Sequence, residues 1–202
     1  SVKQIGTAMD KKIFNKIREI VYEKSGISLN EGKEALVSAR VGKRMRQLGL
    51  AEYKDYLSYL ENDKTGQEYV FMIDAISTNV TSFFREDKHF EFLGKTVEKW
   101  CREGQRKLRI WSCASSTGEE PYSIAMTVYD LIQEFGLDTK ILATDISTKE
   151  LGKCIEGIYQ EDKLESVNLR IRDRFFDRIT DEGGARAYRV KDCLKKLITF
   201  AR

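Results

Sequence analysis

Between Trp111 and Ser123 the chain reads Trp-Ser-Cys-Ala-Ser-Ser-Thr-Gly-Glu-Glu-Pro-Tyr-Ser, a run of small residues ahead of an apolar stretch. Side chains this small let a backbone approach a ligand, and a helix starting behind them presents free N–H groups. In open α/β sheets such loops lie outside the carboxyl ends of the strands, where ligands bind. The usual dinucleotide fingerprint is rich in glycine, whereas Gly118 is the only glycine of this loop, so on glycines alone a plain structural turn is the better reading. Asp145 shifts the balance. It ends a strand-like run roughly 20 residues beyond the loop, where an acid can accept hydrogen bonds from both ribose hydroxyls. The plainer alternative is that Asp145 caps a helix starting near Ser147. Loop and acid together favour a nucleoside cofactor, without saying which.

A second polar stretch, Ser77-Thr-Asn-Val-Thr-Ser-Phe-Phe-Arg-Glu86, is broken by two aromatics. Asn79 and Thr81 can hydrogen-bond a ligand, and Arg85 can meet a carboxylate. By itself the stretch reads equally as an interdomain linker with a hydrophobic staple. Farther upstream, Lys33, Arg40, Lys43 and Arg44 fall on one side of a helical pattern, with Arg46 close by, and Val37, Val41, Met45 and Leu48 on another. Such a basic stripe is either a solvated face or a docking surface for an acidic helical partner. The cysteines, Cys101, Cys113, Cys154 and Cys193, are far apart, and His89 is the sole histidine. That spacing makes a zinc site unexpected, and free thiols suit a reducing, cytoplasmic setting.

The elements that must position these residues fall into two parts. The chain has 202 residues and a formal net charge of +3, which points to no nucleic-acid partner. No apolar run is long enough to cross a bilayer, so no membrane insertion is expected. The first part is helical. Asp10 caps a helix to about Ser25, with Ile13, Ile17, Ile20 and Val21 on one face. Asn30 opens a second, ending near Leu48. A third runs from about Ala51 to Glu61, and Thr65 with Glu68 has capping-box spacing for a fourth through Ile76. Then the pattern becomes helix (Asp87 to Glu103), strand (Lys107 to Ser112), helix from Pro121, strand (Lys140 to Thr144) and helix from Ser147, a βαβ unit with parallel strands. Beyond it, Asn168 to Phe176 reads as helix, and Ala187 to Val190 and Leu197 to Phe200 as antiparallel strands.

Three segments together resemble one family. Thr78 to Glu86, Ser115 to Ala125 and Ala143 to Ser147 are similar to the signature segments of the chemotaxis receptor glutamate methyltransferases, CheR, and the helical N-terminal part is similar too. The resemblance implies an α/β fold: an N-terminal all-α domain at 1–77, a linker at 78–86, and an incomplete Rossmann-like methyltransferase domain at 87–202 with an inserted antiparallel β-subdomain at 157–202. It implies S-adenosylmethionine as cofactor, S-adenosylhomocysteine as product and no metal. Asn79, Thr81, Arg85, Glu120 and Asp145 would hold the cofactor, with Arg85, the catalytic candidate, near its methionine end or the reacting carboxylate. Arg40, Lys43, Arg44 and Arg46 would dock the substrate, the cytoplasmic domain of a methyl-accepting chemotaxis receptor, whose glutamates become methyl esters. Family members continue past the position of Arg202, so the resemblance also implies missing sheet strands, two parallel strands being too few. The alternative is a catalytically incomplete fragment that binds receptor or cofactor.

Overall fold

The computed structural model describes residues 9–77, 81–181 and 183–202. The chain divides into two compact units, Ser1–Thr78 and Asn79–Arg202.

The first unit is all helical. In α1 (Lys11–Ser25) the Asp10 carboxylate accepts the Ile13 N–H at 2.8 Å, and Phe14, Ile17 and Val21 bury one face. The buried stripe is therefore rotated from the expected one: Phe14 is at its centre, and Ile13 and Ile20 are only half-buried. A short 3-10 turn, Glu31–Lys33, precedes α2 (Glu34–Leu48), and Asn30 makes no side-chain cap there. Next come α3 (Tyr53–Asn62) and α4 (Gln67–Ile76).

The expected capping box at α4 does not form. Asp63 does the capping, its carboxylate accepting the Glu68 N–H at 2.6 Å and the Thr65 N–H at 2.9 Å. The Glu68 side chain is needed elsewhere. It is 3% exposed and receives Arg44 Nε at 3.0 Å and Nη2 at 2.6 Å, with the Tyr56 hydroxyl at 2.8 Å. The Arg44 guanidinium also lies over the Phe71 ring, 4.3 Å from its centre. A buried carboxylate is tolerated only when paired and hydrogen-bonded, and this bidentate pair meets both conditions. Arg40 is likewise drawn inward: its Nη1 donates to the carbonyls of Ala75 at 3.1 Å and Ser77 at 2.5 Å, at the end of α4. Terminal helix carbonyls lack partners within the helix and favour a cation. Arg40 and Arg44 thus brace the helical unit and are half-buried, while Lys43 and Arg46 are exposed.

The second unit begins with α5 (Asp87–Arg102), β1 (Lys107–Cys113), α6 (Glu119–Phe135), β2 (Asp138–Thr144) and α7 (Thr148–Glu156). Strands β1 and β2 are parallel, in register from Lys107 opposite Asp138 to Cys113 opposite Thr144. There follow β3 (Ile158–Gln160), α8 (Leu169–Phe175), β4 (Phe176–Thr180), β5 (Arg186–Val190), α9 (Asp192–Lys195) and β6 (Ile198–Ala201). Strands β3, β5 and β4 form an antiparallel sheet in that order.

Strand β6 departs from expectation. It pairs parallel with β2, Ile141 opposite Ile198 and Thr144 opposite Ala201, so the parallel sheet has three strands, β1-β2-β6. The last strand of the 157–202 segment therefore belongs to the parallel sheet. A short apolar run does not state its partner, and here α9 turns the chain back beside β2. Ile141, Ala143 and Ile198 share a core with Tyr122 and Ala125 of α6. Leu108 packs with Val97 and Cys101 of α5 and with Val128 of α6. On the opposite sheet face, Trp111 is 65% and Leu142 40% exposed, whereas parallel sheets are usually covered on both faces.

Replacing Arg44 by Met leaves Glu68 buried without its cation and should destabilise the helical unit by about 3–5 kcal/mol. Urea unfolding followed by circular dichroism measures the loss. Both tryptophans, Trp100 and Trp111, lie in the other unit, so their fluorescence should unfold at the parent midpoint. Changing Glu68 to Met as well should recover most of the lost stability.

Candidate functional site

The site is built where β1 and β2 end. Ser112, the last inward-facing residue of β1, is buried, and its hydroxyl donates to Glu120 Oε1 at 2.7 Å. Glu120 sits in the first turn of α6 and is exposed, whereas its neighbour Glu119 is fully buried. The doubled acid of the sequence thus splits into one outward and one inward carboxylate. Glu119 Oε2 accepts the Thr117 hydroxyl, and its other oxygen is buried without a hydrogen-bond partner among the described residues.

The loop between them is tightly wound. Ala114, Ser116 and Gly118 have φ of 64°, 50° and 97°. Left-handed backbone is costly for residues bearing a Cβ and persists where the surroundings over-determine it. Ser115 N–H donates to the Thr144 carbonyl at 2.8 Å, Ser116 N–H to Asp145 Oδ2 at 2.7 Å, and Gly118 N–H to the Ser115 carbonyl at 2.9 Å. Two side chains hold the loop from behind: Cys154 Sγ donates to the Ser116 carbonyl at 2.9 Å and the Tyr159 hydroxyl to that of Thr117 at 2.7 Å. A Cβ on Gly118 would lie 2.8 Å from the Tyr159 oxygen and 3.2 Å from Cys154 Sγ. The glycine is required by the protein packed behind the loop as well as by its φ.

Asp145 is half-buried and bonds both the entry to α7 and the loop after β1. Its Oδ1 accepts the Ser147 N–H at 2.8 Å, fixing the entry to α7, while Oδ2 braces the loop after β1. Ser147 is the N-cap, accepting the Glu150 N–H at 3.2 Å. A carboxylate offers about four lone-pair sites, so two N–H donors leave Asp145 able to accept more.

The linker stretch is anchored to the same place. The Phe83 ring is buried, edge-on to Tyr159 at 4.9 Å and Phe176 at 5.5 Å. Phe84 N–H donates to Ser123 Oγ at 3.0 Å, and that hydroxyl donates to the Glu119 carbonyl at 2.7 Å. Phe84 also meets Phe90 of α5, ring centres 5.4 Å apart, the contact expected of a staple. Arg85 is exposed in this turn and Thr81 half-buried just before it; Asn79 lies outside the described residues. The structure therefore brings the Phe84–Arg85 turn against the early turns of α6, and the α6 loop against Asp145. Tyr159, Cys154, Ser123 and Glu119 were missed by sequence reasoning, because their roles depend on packing across 30 or more positions for the first two, as Tyr159 to Thr117 spans 42 and Cys154 to Ser116 spans 38. The adjacent Glu119-Glu120 pair was the one local signal. Among the described residues no group of three or more His, Cys, Asp or Glu is arranged for a metal.

A parallel β1-β2-β6 sheet, with a small-residue loop after its first strand and an acid ending its second, defines a Rossmann-like nucleoside-binding unit. Residues 79–202 match the family model described as CheR methyltransferase, SAM binding domain, and residues 12–77 match CheR methyltransferase, all-alpha domain. Similar proteins include Chemotaxis protein methyltransferase 2 of Pseudomonas aeruginosa, 39% identical over 93% of this chain and 65% of the relative. The Chemotaxis protein methyltransferase of Borreliella burgdorferi is 35% identical over 94% of this chain and 68% of its own length. That of Escherichia coli is 37% identical, over 93% and 64%. The chain belongs to the CheR methyltransferase family and spans about two thirds of the length of these relatives.

Burial pushes the Cys154 thiol up to about 12 from its ordinary 9.0, so it remains a protonated donor to the loop. A raised folded-state value contributes stability that is fully present below the unfolded pKa and is lost as pH rises through the folded one. Urea midpoints should therefore fall between about pH 9 and pH 12. Cys154→Ser keeps a donor that does not titrate, and its midpoints should fall less steeply over the same range. At pH 8, iodoacetamide should label exposed Cys113 and spare buried Cys154 until urea is added.

Proposed function

We propose that this chain carries the cofactor site of a protein-glutamate O-methyltransferase that transfers a methyl group from S-adenosylmethionine to glutamates of chemotaxis receptors. The observation that carries the proposal is the contact of Ser116 N–H with Asp145 Oδ2 at 2.7 Å, which joins the small-residue loop to the acidic strand end. Family membership supplies the identity of the nucleoside.

The residues fit that cofactor. Asp145 keeps acceptor capacity for ribose hydroxyls, Glu120 presents an exposed carboxylate at the mouth of the loop, and Arg85 stands on the turn pinned by Phe83, with Thr81 just before it. Asn79 completes the proposed set from outside the described residues. When bound, S-adenosylmethionine supplies an electrophilic methyl group on a sulfonium. A carboxylate acceptor is already ionised at neutral pH, so this chain has no proton to remove and needs neither a general base nor a metal for that purpose. Its contribution is orientation, with Asp145 and Glu120 holding one end and Arg85 the carboxylate-bearing end. A water-poor site also favours a reaction in which opposite charges neutralise.

Exposed Lys43 and Arg46, three positions apart on α2, are the proposed contacts to an acidic receptor bundle in the cytoplasm. Charge contacts of this kind act at long range and are screened by salt. Arg40 and Arg44 are left out, being bound within their own unit.

Two experiments test the reading. Calorimetry with S-adenosylhomocysteine should show binding to the parent, and Asp145→Ala should weaken it by about 1.5–3 kcal/mol. Because Asp145 also holds Ser116 and Ser147, a parallel melting curve must confirm that the variant is folded at the titration temperature. Methyl transfer from labelled cofactor to receptor membranes should become less salt-dependent when Lys43 and Arg46 are both changed to Ala, with cofactor affinity unchanged. Cofactor binding without any transfer would support a narrower role as a binding fragment, and no binding would remove the proposal.

A further inference from the structure

Tyr159 is not among the residues proposed to hold the cofactor, yet it touches both segments that carry them. Its hydroxyl donates to the Thr117 carbonyl, and its ring meets Phe83 edge-on, immediately ahead of the turn that bears Arg85. It stands on β3, where it pairs with Tyr188 of β5. We infer that Tyr159, assisted by Cys154, is a positioning residue for the cofactor loop, through which the antiparallel sheet sets that loop's affinity for an adenosyl ligand. The inference rests on the reading of the loop as a cofactor site.

The peptide plane gives the physical reason. In a trans peptide the carbonyl and the following N–H point to opposite sides, and no cis bond occurs among the described residues. Cys154 draws the Ser116 carbonyl inward and Tyr159 that of Thr117. The Thr117 N–H is thereby turned away from Cys154. Gly118 is what admits the hydroxyl, since any Cβ there would occupy its place at 2.8 Å. Both donors are buried, Tyr159 at 5% and Cys154 at 0% exposure. A buried tyrosine hydroxyl takes a partner where one can be reached, and here that partner is the strained loop. Burial holds both groups in their protonated, donating forms well above their usual ranges. Packing alone would be served equally by phenylalanine, which keeps the edge contacts with Phe83 and Tyr122.

The test is Tyr159→Phe, which deletes one oxygen. Hydrogen exchange of the full chain without ligand should quicken in peptides covering Ser115–Glu120 and stay at parent rates in β5 and α8. Calorimetry should show S-adenosylhomocysteine binding weakened roughly five- to tenfold. Cys154→Ser, which retains a donor, should stay close to the parent, while Cys154→Ala should share the faster loop exchange. A purely structural role would lower the melting temperature yet leave affinity and loop exchange unchanged well below it, and that result would overturn the inference. If the parent binds no S-adenosylhomocysteine, the cofactor reading fails, while loop exchange in Tyr159→Phe still decides whether the hydroxyl positions the loop.

Discussion

The carboxylate of Asp145 holds together the part of the molecule on which function depends. It stands at the end of β2 and accepts one N–H from its own strand's exit and one from the loop that leaves β1. Parallel strands carry no tight turn to relate their ends, so the loops above them are free to diverge unless something bridges them. A charged acceptor bound to backbone N–H groups is among the stronger hydrogen-bonding arrangements available. With this bridge in place, the loop after β1, the first turn of α6 and the entry to α7 form one surface.

The loop shows how a site poor in glycine can still be tightly curved. Ala114 and Ser116 adopt left-handed backbone, for which glycine is ordinarily preferred. The strain is offset by bonds on every side: Thr144 and Asp145 in front, Cys154 and Tyr159 behind, Glu119 beneath. Curvature that other loops draw from glycine comes here from the surrounding elements. One consequence is that the antiparallel sheet, through Tyr159, belongs to the architecture of the loop although it is remote in sequence.

The helical unit illustrates a different constraint. Arg44 and Glu68 form a buried bidentate pair completed by Tyr56, and Arg40 closes the end of α4. Charges with internal partners are poor candidates for binding others, because breaking the pair leaves an uncompensated ion. The basic character of α2 is therefore divided, Arg40 and Arg44 working inward and Lys43 and Arg46 facing out. Periodicity groups Arg40, Lys43 and Arg44 on one side of the helix, and only the contacts with α4 separate them.

The sequence by itself determined the local and near-neighbour features. Asp10 and Ser147 cap the helices expected of them, and Gly26, Gly49 and Gly136 follow helix ends. The parallel pairing of β1 with β2 was legible from their alternation with α6, and three signature segments were legible as family motifs. These signals are carried by residues within a few positions of each other, or by runs long enough to identify. Tertiary structure decided the rest. Glu68 left its capping box because Arg44, 24 positions away, required a carboxylate inside. The strand at Ile198–Ala201 joined the parallel sheet because the chain after α9 returns beside β2. Glu119 turned inward and Glu120 outward because the start of α6 is enclosed on every side but that of Glu120. Tyr159 became part of the loop because Gly118 leaves room for its hydroxyl. In each case the deciding partner is distant along the chain and near in space, so no local pattern could name it.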